Sequence, residues 1–166
     1  MTMSDVLGRI RNRVGEKNLF AGNILKRHGC SVKLSDISLE KVVVDLDAVF
    51  PSGREGKRQC ECVVFYFDSG ANFVAVPIEF KSGEVNASVA SQQLKQGADY
   101  AARFIPRGTK PVCIPILLHN GSIHKAEVRK LKSSGTNVLF RGRKFEINTA
   151  RCGANLADLL ARAGHL

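Results

Sequence analysis

The sequence predicts an α/β protein: a three-layer α/β/α sandwich on a mixed central sheet. Three observations carry this. Two adjacent strand-like runs are apolar on both faces, with Val63, Phe65 and Phe67 on one side and Val64, Tyr66, Val74, Val76 and Ile78 on the other. Such a sheet needs cover above and below. A helix-periodic run at 86–105 then separates this pair from a third apolar run at 111–118, the spacing of a parallel crossover. Finally, the 166 residues suit one domain with a sizeable core. The expected order is an αβββαβ core over about 4–118, then a basic extension over about 119–166 with a C-terminal β-hairpin and helix.

Residues 4–15 read as a helix, with Ser4 as N-cap and Asp5 in its first turn. Val6, Leu7, Ile10 and Val14 form its apolar stripe. Arg9, Arg11 and Arg13 lie off the stripe, facing either a nucleic-acid backbone or solvent. Leu19, Phe20, Ile24 and Leu25 suggest a second short helix over 18–28. Residues 41–50 read as a strand. Val42, Val44, Leu46, Ala48 and Phe50 occupy one face, and Asp45 and Asp47 the other, with Lys41, Val43 and Val49. The two aspartates either join an acidic site or mark a wet strand end. The loop at 51–58 is rich in glycine and charge, so Lys57 or Arg58 is expected to contact phosphate.

The organising stretch is 59–83. Its two β-branched and aromatic runs flank Asp68-Ser69-Gly70-Ala71-Asn72, a hairpin signature. With the turn centred on Gly70, residues whose numbers sum to 140 face each other. Glu61 then opposes Glu79, with Lys81 one step along the same face. A proline at 77 is able to slip that register by one residue. Two carboxylates at cross-strand distance repel, so one takes up a proton or a cation neutralises both. Mg²⁺ or Mn²⁺ suits such oxygens, and a neighbouring lysine can orient a water or hold a phosphate oxygen. The plainer alternative is a surface hairpin whose charges pair with each other.

Asn86 is the expected N-cap of the helix at 86–105. Ala87, Ala90, Leu94, Ala98, Ala101 and Ile105 form a stripe of small and apolar residues for close packing on the sheet, and Gln93, Gln96 and Tyr100 share one flank. A short helix over 124–132 and a hairpin pairing 137–140 with 144–147 follow. Asn155 starts a final helix. Arg141, Arg143 and Lys144 form the sharpest basic cluster, either a backbone-binding wing or a solvated turn.

Glu79-Phe80-Lys81 resembles the (D/E)xK element of the PD-(D/E)xK phosphodiesterases, the restriction-endonuclease-like superfamily. Cys60-Glu61 stands where that family carries its preceding acidic residue, usually Asp. Gln96-x-x-x-Tyr100 resembles the QxxxY element of the RecB-like and lambda-exonuclease-like branch, with Gln93 equally placed. The resemblance covers roughly 4–118. It implies a metal-dependent nuclease acting on DNA. Glu61, Glu79 and the Phe80 carbonyl would hold Mg²⁺ or Mn²⁺, Lys81 would act on the attacking water, and Gln93 or Gln96 would position the phosphate backbone. Glu16 is a further acidic candidate because relatives place one on the opening helix. The alternative is a catalytically inactive nuclease-fold module that binds nucleic acid or a partner protein.

Composition bears on partners. The chain has 25 Lys+Arg against 15 Asp+Glu, a net +10, which favours a polyanion. Tryptophan is absent, so backbone-directed binding is expected before base stacking. A chain this short leaves little room for a sequence-recognition domain; a homodimer and a larger nuclease/helicase or defence complex are the candidate settings, and the sequence derives neither. No apolar run approaches the ~18 residues of a membrane span, and no signal peptide is evident. The expected compartment is cytoplasmic. The five cysteines are read as buried thiols of a reducing compartment, with Cys60 and Cys62 on one apolar face. His119 and His124 are read as structural.

Overall fold

The computed structural model describes residues 1–38, 40–51 and 60–166. Lys57 and Arg58, the expected loop contacts, lie outside the described residues. Helix α1 (Met3–Val14) buries Val6, Leu7, Ile10 and Val14. Its cap is Thr2 rather than Ser4. The Thr2 hydroxyl accepts from the Asp5 amide at 3.1 Å, and the Asp5 carboxylate accepts from the Thr2 amide at 2.8 Å. This capping box satisfies two amides at once.

No helix forms over 18–28. After a single 3₁₀ turn at Glu16–Asn18, β1 (Ile24–Arg27) and β2 (Cys30–Lys33) pair antiparallel. They are joined by His28 and Gly29, with φ of 53° and 74°. Positive φ at both turn residues is what a two-residue type I′ hairpin requires. The helical spacing of Leu19, Phe20, Ile24 and Leu25 yields to this turn and to the burial of Leu25 and Val32 across the pair.

The strand expected over 41–50 is shorter: β3 (Lys41–Asp45) ends in a one-turn helix, α2 (Leu46–Val49). Asp45 causes the change. Its Oδ1 accepts from the amides of Asp47 and Ala48 at 3.1 and 3.3 Å, which competes with extending the strand.

The central hairpin joins β4 (Cys62–Phe67) to β5 (Phe73–Lys81), with partners running from Cys62 opposite Ile78 to Phe67 opposite Phe73. Every pair sums to 140, so Pro77 does not shift the register. Beyond β5 the neighbouring chain is interrupted. β6 (Val112–Cys113) pairs with Val74 and Ala75, and β7 (Ile116–His119) pairs from Ile78 onward. The strand expected at 111–118 is thus in two pieces, and the shared offset sets Pro115 beside Pro77. Proline lacks the amide a ladder needs, so the break falls where pairing costs least. Helix α3 (Ala87–Ala102), capped by Asn86, is the crossover that makes β5 parallel to both pieces.

The extension contributes α4 (Lys125–Leu131) and the hairpin of β8 (Val138–Phe140) and β9 (Arg143–Phe145). Two strands absent from the sequence reading follow. β10 (Asn148–Arg151) runs parallel to β7 and extends the main sheet, and β11 (Ala154–Asn155) runs parallel to β2. Helix α5 (Leu156–Arg162) closes the chain.

Among the described residues the main sheet has the order β10-β7-β5-β4-β3, with β6 beside β5. One face packs Val63, Phe65, Phe73 and Ala75 against α1 and α3. The other packs Val64, Tyr66, Val76 and Ile78 against Leu25 and Val32 of the first hairpin and Leu156 and Leu160 of α5. Both faces are covered, as the two-sided apolar pattern predicts, in a mixed α/β fold.

The cysteine reading needs two corrections. Cys30 and Cys152 form a disulfide that ties β2 to the segment after β10, while Cys60, Cys62 and Cys113 are free and buried. Cys60 and Cys62 also belong to opposite faces of the sheet. β4 begins only at Cys62, so strand alternation does not reach back through Glu61. Among the described residues no helix is long and apolar enough to cross a membrane.

Candidate active site at one end of the central hairpin

Glu79 lies two residues before the end of β5 and is only 2 % exposed. Alternation puts Lys81 on the same face, with its Nζ 3.5 Å from Glu79 Oε1. Glu61 immediately precedes β4. Its amide donates to the Ile78 carbonyl at 3.1 Å, and its own carbonyl accepts from the Leu46 amide at 3.0 Å. These two bonds pin the Glu61 backbone between β5 and the start of α2. The Glu61 side chain is buried, and its Oε1 is 3.1 Å from Nε2 of His28 at the tip of the β1–β2 turn.

Burial pushes both carboxyls up. Glu79 rises to about 8, with Lys81 opposing the rise and Glu61 adding to it. Glu61 rises to about 7, again chiefly through burial, then through Asp47, with His28 opposing. Two acids raised toward neutrality at one end of a sheet destabilise the metal-free fold as pH rises.

Five buried side-chain oxygens lack a hydrogen-bond partner among the described residues, and four of them are Glu61 Oε2, Glu79 Oε2, Gln93 Oε1 and Gln96 Oε1. An orphaned buried acceptor costs about 1–3 kcal/mol, so four of them call for a donor or a cation. Helix α3 contributes the glutamines. It rises from the loop after Lys81, and Gly97 lets it settle on Cys60 and Pro77. A Cβ at Gly97 would stand 2.2 Å from the Cys60 sulfur and 3.0 Å from the Pro77 Cβ. Gln96 immediately precedes that contact and Gln93 lies one turn before it.

All these donors are hard oxygens, the set that suits Mg²⁺ or Mn²⁺. The two orphaned carboxylate oxygens fit such an ion. Among the described residues no three His, Cys, Asp or Glu side chains are arranged to hold one, so further oxygens would have to come from carbonyls, amides and water.

Other expected residues fall elsewhere. Asp45 is occupied by its helix cap and by Arg27, whose NH2 donates to Oδ2 at 2.7 Å. Asp47 borders Glu61 but is largely exposed. Glu16 sits exposed on the 3₁₀ turn, with no ion pair among the described residues. Tyr100 packs its ring in the core against Phe50 and Phe104, at centroid distances of 5.8 and 5.2 Å. Arg143 donates to the Pro111 carbonyl and stacks on Phe145. Pro111 precedes the Val112 that pairs with Val74, so the basic turn of Arg141, Arg143 and Lys144 belongs to the opposite end of the sheet from Glu79.

Sequence reasoning missed His28 and Arg27. The available signal was the His28-Gly29 pair between two short runs, 24–27 and 30–33, a two-residue hairpin that would have carried Arg27 and His28 at its tip. Comparison with known protein families, with curated proteins and with solved structures finds no match.

Proposed function

We propose that this chain is a metal-dependent phosphodiesterase of the PD-(D/E)xK type, a nuclease acting on DNA. The observation that carries the proposal is the pair of buried glutamates, Glu61 and Glu79, each with an unpartnered oxygen, with Lys81 3.5 Å from Glu79. Glu61, Glu79 and the Phe80 carbonyl are the residues that would hold Mg²⁺ or Mn²⁺. When bound, such an ion supplies Lewis-acid polarisation of a phosphate oxygen and eases deprotonation of water.

The chain's own groups do the rest. Lys81 orients the attacking water and offsets charge developing on the phosphate. Gln93 and Gln96 orient the phosphate backbone through their amides. His28, on the rim, lies 3.1 Å from Glu61 Oε1 and orients that carboxyl. The +10 net charge favours a polyanionic substrate. Assembly as a homodimer or within a larger nuclease, helicase or defence complex belongs to the same proposal. So does a cytoplasmic location, against which the Cys30–Cys152 disulfide weighs, because such bonds are rare in reducing compartments.

A second reading is a nuclease fold retired from catalysis that binds nucleic acid or a partner protein. It is favoured by the engagement of nearby groups with each other: His28 with Glu61, and Arg27 with Asp45. Labelled linear, circular and single-stranded DNA, incubated with Mg²⁺, Mn²⁺ or EDTA, decides between the two. Metal-dependent cutting that is lost in Lys81→Ala supports the nuclease. Salt-sensitive binding without cutting under any metal supports the binding module.

A further inference from the structure

At the opposite end of the sheet from the glutamates lies a cavity of about 680 Å³, walled by α1, the end of β4 and the segment after α3. This is within the ~300–1,000 Å³ range of small-molecule sites. Four arginines line it, Arg9 and Arg13 from α1 and Arg103 and Arg107 from beyond α3, and no acidic residue does. None of the four forms a salt bridge among the described residues. The walls between them are largely apolar and include two partly buried aromatics, Phe67 and Phe104.

Arg13 is held in place before any ligand arrives. Its NH1 donates to the Arg103 carbonyl at 3.1 Å, and its guanidinium lies 5.1 Å from the centroid of Phe104. Arg103 in turn stacks on Tyr100 at 5.7 Å. Ordered guanidinium forks match phosphate oxygens two at a time. Aromatic walls accept a planar base by stacking. A lone phosphate would leave those walls wet, and an apolar ligand would leave four cations facing one another.

We propose that this cavity binds one nucleotide unit: its phosphate on the arginines and its base against Phe67 and the apolar wall beside it. The unit comes either from a free nucleotide or from the phosphorylated end of a strand. The inference does not depend on the phosphodiesterase reading. Glu61 immediately precedes β4 and Phe67 ends it, a span of roughly 17–20 Å at strand rise, so the two sites are separate.

The test is calorimetric titration in EDTA with AMP, inorganic phosphate, and a short oligonucleotide with a 5′-phosphate or a 5′-hydroxyl. The proteins are wild type, the Arg9→Ala/Arg107→Ala double variant and Glu79→Gln. Arg9 and Arg107 are exposed, so their removal leaves the fold intact. AMP is expected to bind wild type and Glu79→Gln equally, at least tenfold more tightly than phosphate, and at least tenfold more weakly to the double variant. A 5′-phosphorylated oligonucleotide that outcompetes AMP assigns the strand end; one that does not assigns the free nucleotide. Absence of AMP binding, equal affinity in the double variant, loss in Glu79→Gln, or phosphate binding as tightly as AMP would each overturn the proposal.

Discussion

Lys81 Nζ stands 3.5 Å from one oxygen of Glu79, while the other Glu79 oxygen is buried without a partner among the described residues. The ion pair is therefore half of a coordination problem. Burial outweighs the lysine, and the Glu79 carboxyl stays protonated to about 8 against an ordinary 4.5. Glu61 and Asp47 both face it with like charge.

That shift has a definite sign. An acid that holds its proton more tightly when folded costs nothing below the unfolded value. Its penalty grows as pH rises from about 4.5 to about 8 and is constant above. The metal-free protein is expected to lose melting temperature across that window, with Glu61 contributing up to about 7. Glu79→Gln should flatten the slope and exceed wild type at pH 8 by on the order of a few kcal/mol. Mg²⁺ should stabilise wild type most at the alkaline end and leave Glu79→Gln little changed. Thermal melts over pH 5–9 measure this, and an unaltered slope in the variant would remove Glu79 as its source.

Lys81→Ala isolates the other half of the pair. The lysine is partly exposed and its only ion pair among the described residues is to Glu79, so the fold should survive, with an unchanged circular dichroism spectrum. Cleavage of DNA should fall by about 10²–10³-fold, the scale for losing one group that stabilises transition-state charge. Since Lys81 pulls the Glu79 titration down, its removal should also raise that carboxyl further, visible as a steeper loss of stability toward pH 8. Full activity in Lys81→Ala would sink the phosphodiesterase assignment.

The sequence was most legible where period and punctuation agreed. Alternation along 62–81 and the Gly70-centred turn specified the register that sets Glu61 beside β5, and Asn86 with its small-residue stripe specified α3. Legibility failed where one polar side chain or one turn overrode a pattern. Asp45 capped a helix instead of continuing a strand, and His28-Gly29 turned a helical spacing into a hairpin. β10 and β11 were missed because each is short, β10 is largely exposed and β11 has only two residues, and each is held by pairing with a distant strand. The disulfide was hidden for the same reason: its cysteines are 122 residues apart.

Gly97 is the point where α3 meets the site, and a methyl group there should register at both. Ala is the better helix former by about 1 kcal/mol, yet its Cβ would stand 2.2 Å from the Cys60 sulfur. Gly97→Ala is expected to destabilise by about 1–3 kcal/mol and to weaken metal affinity, since a displaced α3 carries Gln93 and Gln96 with it. Asp99→Ala, on the exposed side of the same helix, should fall within about 0.5 kcal/mol of wild type. Because the clash is with sulfur, Cys60→Ala should recover most of the loss in the double variant. Additive losses in denaturant titrations would show that α3 does not rest on Cys60.

The Cys30–Cys152 bond closes a span of 122 residues, and its first half lies two residues from His28. It therefore anchors the β1–β2 hairpin, and with it the His28 contact to Glu61, to the segment between β10 and β11. Cross-linking a span of that length stabilises by about 3–5 kcal/mol through the unfolded chain. Denatured oxidised protein should show three titratable thiols, Cys60, Cys62 and Cys113, and reduced protein all five. Reduction, or Cys30→Ser with Cys152→Ser, should lower the melting temperature by many degrees. Five thiols without reduction would mean that packing of Leu25 and Val32 alone holds the hairpin, and His28 would then sit on an element free to leave Glu61.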